Sequence, residues 1–101
     1  MILIDAIYIN NSGGKILLDY LIEYLENTEI EVEYLLDARC RKFFEQVLGS
    51  KATFLEASLL KRHSFYIKNQ NRWQQVFCFG NIPPSTRLNI PVATYFHNVL
   101  L

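Results

Sequence analysis

The chain has 101 residues, half of them apolar and 14% aromatic, with only four glycines and three prolines. This length supports one compact domain, and the composition excludes a disordered, collagen-like or low-complexity chain. No apolar stretch approaches the roughly 20 residues that a membrane-spanning helix requires. The first residues lack the basic segment of a secretory signal peptide, so we expect a cytoplasmic domain.

The net charge is zero, but the charges are divided along the sequence. Up to Asp37 there are eight acidic residues and one basic residue, whereas nine basic and two acidic residues follow. A basic half can attract phosphates or an anionic surface. The simpler interpretation is that the two halves partly neutralise each other in the fold.

Apolar runs with β-branched and aromatic residues predict five strands, which alternate with helical patterns and turn signals. The predicted strands are residues 2–9, 32–36, 52–55, 76–79 and 92–96. Between strands four and five, the Pro83-Pro84 step and Pro91 favour a loop over a helix.

Three helices are predicted between these strands. The first covers about residues 15–27, the second runs from an Asp37 cap to Gly49, and the third starts at a Ser58 cap and ends near residues 69–71. Helical spacing predicts the following inward-facing residues: Ile16, Leu17, Tyr20, Leu21, Tyr24 and Leu25; Cys40, Phe43, Phe44, Val47 and Leu48; Leu59, Leu60, His63, Tyr66 and Ile67.

The alternation of strands and helices implies right-handed crossovers and a doubly wound, mostly parallel α/β sheet with about five strands and three helices. We expect residues 1–101 to be part of a longer chain, because no element after the fifth strand covers the sheet. The uncovered edge and the apolar Val99, Leu100 and Leu101 predict self-association, most simply as a twofold dimer.

Ligands of such sheets bind outside the carboxyl ends of the strands, where the strand order reverses. In the usual order 3-2-1-4-5 that crevice lies between the first and fourth strands, where residues 10–14, 80–84 and 97–98 meet. Gly13 and Gly14 precede a helix and let a phosphate or sugar approach the backbone, although they can equally be turn residues. His97, at the end of the fifth strand, is the best candidate acid or base; the alternative is a histidine held by a neighbouring backbone group.

Several other functions are excluded. The chain lacks G-x-G-x-x-G, and Ser12 to Ile16 departs from a P-loop in glycine spacing and in the Ser/Thr that should follow Lys15. Asn10 and His97 stand where a receiver domain needs an acid and a lysine. No spacing typical of a metal site is present, Cys40 and Cys78 read as buried apolar residues, and nucleic-acid binding has no motif to support it.

Basic residues concentrate on the second and third predicted helices, next to Phe65, Tyr66 and Trp73. This pattern allows contact with an anionic membrane surface or acceptor, while a solvated helix face is the simpler alternative.

Three segments together resemble the amino-terminal Rossmann-like domain of a GT-B glycosyltransferase of the family 4 (group 1) kind. They are Ile7 to Gly14, Val76 to Pro84, and Pro91 to Asn98. The resemblance covers essentially the whole chain. It implies transfer of a sugar from a nucleotide-sugar to a saccharide or lipid-linked acceptor, in a cleft between two Rossmann-like domains, with no further cofactor.

The resemblance also implies roles for individual residues. Gly13 and Gly14 would approach the donor phosphates or the acceptor, and Asn81 and Asn98 would contact substrate. His97 would line the acceptor side near the reacting sugar. The second domain is missing, so this chain alone is expected to be inactive; the alternative is a non-enzymatic Rossmann-like module for binding or self-association.

Overall fold

The computed structural model describes residues 1–9, 12–79, 84 and 88–95. The strands are β1 (Ile2–Ala6), β2 (Val32–Asp37), β3 (Ala52–Leu55), β4 (Gln75–Phe79) and β5 (Val92–Tyr95). The helices are α1 (Ser12–Glu26), α2 (Arg41–Leu48) and α3 (Leu59–Asn69), and short 3-10 turns at Ala38–Cys40 and Gly49–Lys51 flank α2.

The five strands form one open, all-parallel sheet in the order β3-β2-β1-β4-β5. The predicted doubly wound, Rossmann-like α/β fold is therefore confirmed. Helices α1 and α2 pack with Ile4, Ala6 and other residues on one face, and α3 packs with Leu3 and Leu35 on the opposite face. This distribution follows from right-handed crossovers whose direction along the sheet changes after β3.

Two boundaries near the first turn differ from the prediction. Strand β1 ends at Ala6 rather than at residue 9, because the Ile9 N–H donates to the Ala6 carbonyl (3.0 Å) and closes a turn. Helix α1 begins at Ser12, so Gly13 and Gly14 lie inside its first turn rather than before it. The first N–H groups of a helix have no partner within the helix, so glycines are tolerated there.

The predicted Ser58 cap of α3 is confirmed, whereas Asp37 caps the 3-10 turn Ala38–Cys40 rather than α2, which begins at Arg41. The Asp37 side chain accepts a hydrogen bond from the Arg39 N–H, and the Ser58 side chain accepts one from the Lys61 N–H. Gly49 ends α2 with a φ of 56°.

The predicted inward faces of the helices are partly wrong. In α1, Leu18, Ile22 and Leu25 are buried. Predicted core residues that are exposed are Ile16, Leu17, Tyr20, Tyr24, Phe43, Val47, Leu59, Leu60, His63 and Ile67. In α3 the buried residues are Arg62, Phe65 and Tyr66, because the core on that side contains a carboxylate that the arginine pairs with. Apolar residues lie on more than one side of each helix, so their spacing alone did not identify the side that meets the sheet.

Candidate functional site

The strand order reverses between β1 and β4. The chain leaves β1 towards β2 on one side, whereas it leaves β4 towards β5 on the other. In open parallel sheets this divergence opens a crevice at the carboxyl ends of the two strands. Strands β4 and β5 are parallel, and their last residues, Phe79 and Tyr95, are paired in register, so both strands end at the same edge of the sheet.

The predicted site residues divide into two groups. Gly13 and Gly14 lie in the first turn of α1, at the edge of the crevice, and Gly14 is buried. The first N–H groups of a helix have no acceptor within the helix, and such a turn favours an anion. Asn81, His97 and Asn98 lie outside the described residues.

A buried polar group lies beneath the crevice, on the α3 side of the sheet. This Asp5 cluster consists of Asp5 on β1, Cys78 on β4, and Arg62 and Tyr66 on α3. The Asp5 Oδ2 accepts hydrogen bonds from Arg62 Nε (2.9 Å) and from the Tyr66 hydroxyl (2.6 Å). Arg62 Nη2 lies 3.6 Å from the Cys78 Sγ, and Asp5 and Cys78 are register partners across β1 and β4.

Burial sets the electrostatics of the Asp5 cluster, whose four residues are at most 2% exposed. Burial raises the pKa of Tyr66 strongly, and the Asp5 carboxylate adds to this. Burial also raises the pKa of the Cys78 thiol to about 11, so the thiol stays protonated near neutral pH. Burial alone would lower the pKa of the Arg62 guanidinium. The attraction of the nearby Asp5 carboxylate is larger than this effect of burial, so the pKa of Arg62 is raised.

Tyr8 contacts the Asp5 cluster through Arg62. The Arg62 guanidinium lies 5.4 Å from the centre of the Tyr8 ring, which is a cation–π contact. The Tyr8 hydroxyl is buried and has no hydrogen-bond partner in the part of the chain that the structure describes. Tyr8 is the second residue after β1, and its ring packs against the core on the α3 side of the sheet.

A second group of charges lies at the carboxyl end of β2. Asp37 is buried and receives hydrogen bonds from Arg39 Nε (3.2 Å) and Nη2 (2.9 Å). The Cys40 thiol donates to the Ile9 carbonyl at 3.4 Å, which holds this segment against the turn after β1. A shallow pocket beside it is lined by Ala38, Arg39, Arg41, Lys42, Phe43 and Glu45. Its cations can attract an anion towards the start of α1.

Sequence reasoning missed the Asp5 cluster. Asp5 is the one charged residue within the first predicted strand, and Arg62 is one of the basic residues of the third predicted helix. The available signal was the position of Asp5 in a strand buried on both faces, where a carboxylate requires a partner. Arg62 and Tyr66, four residues apart on one helix face, supply that partner.

The predicted basic and aromatic patch is not one surface. Phe65, Tyr66 and Trp73 are buried in the core beneath α3, and α2 lies on the other face of the sheet. Membrane contact therefore stays a prediction that rests on the cations of each helix separately. Among the described helices, none has the length and apolar character to cross a membrane.

The described residues define an open, parallel α/β domain whose switch point lies between β1 and β4. Within the described ranges, no cluster of three His, Cys, Asp or Glu side chains suits a metal ion. Comparison with known proteins finds no family model, no curated protein and no solved structure that matches this chain.

Proposed function

We propose that this chain is the amino-terminal, acceptor-side domain of a glycosyltransferase that uses a nucleotide-sugar. The observation that carries the proposal is the strand order β3-β2-β1-β4-β5 with α1 starting beside the crevice. In this proposal an anionic substrate binds at the switch point beside the first turn of α1, whose N–H groups have no acceptor within the helix.

Charge and rigidity support the same function. The pocket that contains Lys42 and Phe43 lies near the start of α1, because the Phe43 ring centre is 4.2 Å from Lys15 Nζ. Arg39 and Arg41 in this pocket pair with Asp37 and Glu45, so Lys42 is the cation that would attract a phosphate group. The Asp5 cluster joins β1, β4 and α3, so it holds the two strands that border the crevice in a fixed relation. A preorganised site of this kind reduces the cost of ordering a ligand.

In this proposal His97 acts on the sugar or the acceptor hydroxyl. It follows β5 by two residues in the sequence. A neutral imidazole can accept or donate a proton near pH 7, and in this proposal the His97 imidazole would act on a reacting hydroxyl. Asn81 and Asn98 would hydrogen-bond to substrate.

The test uses both histidines of the chain, His63 and His97. In the protein that joins this chain to a donor-binding domain, we expect His97→Ala to lower sugar transfer by at least about tenfold, with an unchanged unfolding midpoint. His63 is exposed on α3, so His63→Ala serves as the control and should stay within about twofold. Equal turnover of wild type and His97→Ala would remove His97 from the site.

A binding experiment on the isolated chain tests the proposal without turnover. Only two histidines are present, so their imidazole NMR signals can be assigned with the two alanine variants. Addition of nucleotide-sugars should shift the His97 signal and leave the His63 signal in place. A non-enzymatic module is the alternative, and it predicts that neither signal moves with any nucleotide-sugar.

A further inference from the structure

Helix α1 carries apolar residues on the side that faces the sheet, on the outer side and on one flank, and acidic residues on the other flank. Successive helical residues are about 100° apart, so Leu18, Ile22 and Leu25 share the side that faces the sheet. Ile16 and Tyr20 lie on the outer side, where they are 55% and 67% exposed. A helix with apolar residues on opposite sides is typical of a position buried between two layers.

The two flanks of α1 differ in polarity. Asp19, Glu23 and Glu26 lie on the flank towards α2, where they line a groove with Phe43 and Val47. The other flank carries Leu17, Leu21 and Tyr24. This apolar flank faces away from α2 and therefore towards the β4 side of the sheet.

The sheet next to that apolar flank has no helix of its own in the described part of the chain. Phe77 on β4 is the register partner of Ile4 on β1, so it lies on the α1 side, and Phe79 lies on the same side two residues later. Both rings are only partly buried, and both pack with Leu21 against the core under α1. The outer side of α1, its apolar flank and the two phenylalanines thus form one apolar surface, which we call the α1 shelf. Its residues are Ile16, Leu17, Tyr20, Leu21, Tyr24, Phe77 and Phe79.

We propose that the α1 shelf is the interface with a second copy of this chain. A twofold axis parallel to α1 places the two α1 helices side by side, so that Leu17 and Tyr24 meet their own counterparts. Each α1 then lies over the partner's β4, and Ile16 and Tyr20 cover the partner's phenylalanines. The residues at 17, 20, 21 and 24 have the spacing of a two-helix seam.

The size and charge of the shelf fit this occupant. A fully buried tyrosine removes about 150–250 Å² from water, and Tyr20 and Tyr24 are 67% and 66% exposed. With Ile16, Leu17 and the phenylalanines, each copy contributes on the order of 500 Å², so the pair reaches about 1,000 Å², the lower bound of a specific interface. The chain has zero net charge, so two copies do not repel each other overall. This surface differs from the crevice, and the inference does not depend on the proposed function.

The first experiment measures association of the full 101-residue chain by sedimentation. We expect a monomer–dimer equilibrium with a dissociation constant on the order of 10 µM. Tyr20→Asp should weaken association by at least about tenfold, and so should Ile16→Lys. Val47 is as exposed as Tyr20, at 67%, but lies on α2, so Val47→Asp is the matched control and should dimerise normally. Circular dichroism confirms that each variant is folded.

The second experiment tests the orientation of the helices. In the proposed dimer the two α1 helices are parallel, so residue 24 of one copy lies beside residue 24 of the other. Tyr24→Cys should therefore form an intermolecular disulfide on mild oxidation. Val47→Cys, similarly exposed, should not. The native Cys40 and Cys78 are buried and do not interfere.

Three results would overturn the proposal. The first is a chain that is monomeric at about 100 µM. The second is a dimer that tolerates Tyr20→Asp and Ile16→Lys, as expected for association through the β5 edge. The third is equal cross-linking of the two cysteine variants.

Discussion

At the scale of single residues, the Asp5 cluster is the feature that most constrains the fold. Asp5 and Arg62 are 1% and 2% exposed, so each charge has lost its water. A buried ion pair is often no better than a well-packed apolar pair, but the loss of one partner leaves an uncompensated charge. The cluster therefore makes the packing of α3 on β1 and β4 specific.

This asymmetry predicts the outcome of a double-mutant cycle. Asp5→Ala should lower the free energy of unfolding by about 3–5 kcal/mol, because Arg62 stays buried without its carboxylate. Arg62→Met should also destabilise the domain, because Asp5 then stays buried without its guanidinium, and Asp5→Ala combined with Arg62→Met should lose less than the sum of the two single changes. Urea unfolding measures each value.

The control for this cycle is the exposed pair Arg41–Glu45 on α2. Its removal by Glu45→Gln should change the free energy of unfolding by no more than about 0.5 kcal/mol. If Asp5→Ala were as mild as Glu45→Gln, the cluster would have no structural role.

At the scale of elements, the connections of the sheet depend on a few local signals. Asp37 and Ser58 cap the segments that follow them, and Gly49 ends α2. The φ of 56° at Gly49 is in the region that residues with a Cβ rarely adopt. This one residue lets the chain turn from α2 into β3.

Gly49→Ala should therefore destabilise the domain through its backbone alone. A Cβ at this position would meet nothing within 4 Å, so no steric clash adds to the strain. We expect a loss of about 1–2 kcal/mol in the free energy of unfolding. Ser50→Ala, an exposed neighbour, should change it by less than about 0.5 kcal/mol. Equal stability of the two variants would show that the turn tolerates a side chain.

At the scale of the whole molecule, the divided charges of the sequence are brought together. Four of the seven ion pairs between described residues join the acidic first part of the chain to the basic remainder. They are Arg39–Asp37, Lys51–Glu26, Arg62–Asp5 and Arg72–Glu33. Partial neutralisation of the two halves, the simpler of the two interpretations, is confirmed for these residues.

The Glu26–Lys51 pair gives this neutralisation a pH dependence. Burial alone would raise the pKa of Glu26, but hydrogen bonds from Lys51 and from the Tyr34 hydroxyl lower it below its ordinary 4.5. A carboxylate with a lowered pKa stabilises the fold above its unfolded pKa, and this contribution is lost as the pH falls through the folded pKa.

The expected result is that Glu26→Gln is less stable than wild type at neutral pH. The difference should shrink as the pH falls below 4.5. Unfolding midpoints across this range measure it, and Glu29→Gln, at an exposed position, is the control. If wild type and Glu26→Gln differed in unfolding midpoint by the same amount at acid pH as at neutral pH, the prediction would be wrong.

The sequence by itself determined the presence of five strands, their parallel direction and the capping residues Asp37 and Ser58, because apolar runs and turn residues are local signals. The bounds predicted for β3 match the observed ones, and the order 3-2-1-4-5, expected as the usual one for doubly wound sheets, is the observed order. The location of the crevice followed from that order.

The tertiary structure alone decided which side of each helix meets the sheet and which polar groups are buried. Tyr20 and Tyr24 match the helical spacing as well as Leu18 does, yet they are exposed. The partner of Asp5 is 57 residues away in the sequence, and no local pattern links it to Arg62. Burial and pairing at such distances depend on how elements pack, because the free energy of each contact is set by neighbours that only the folded chain brings together.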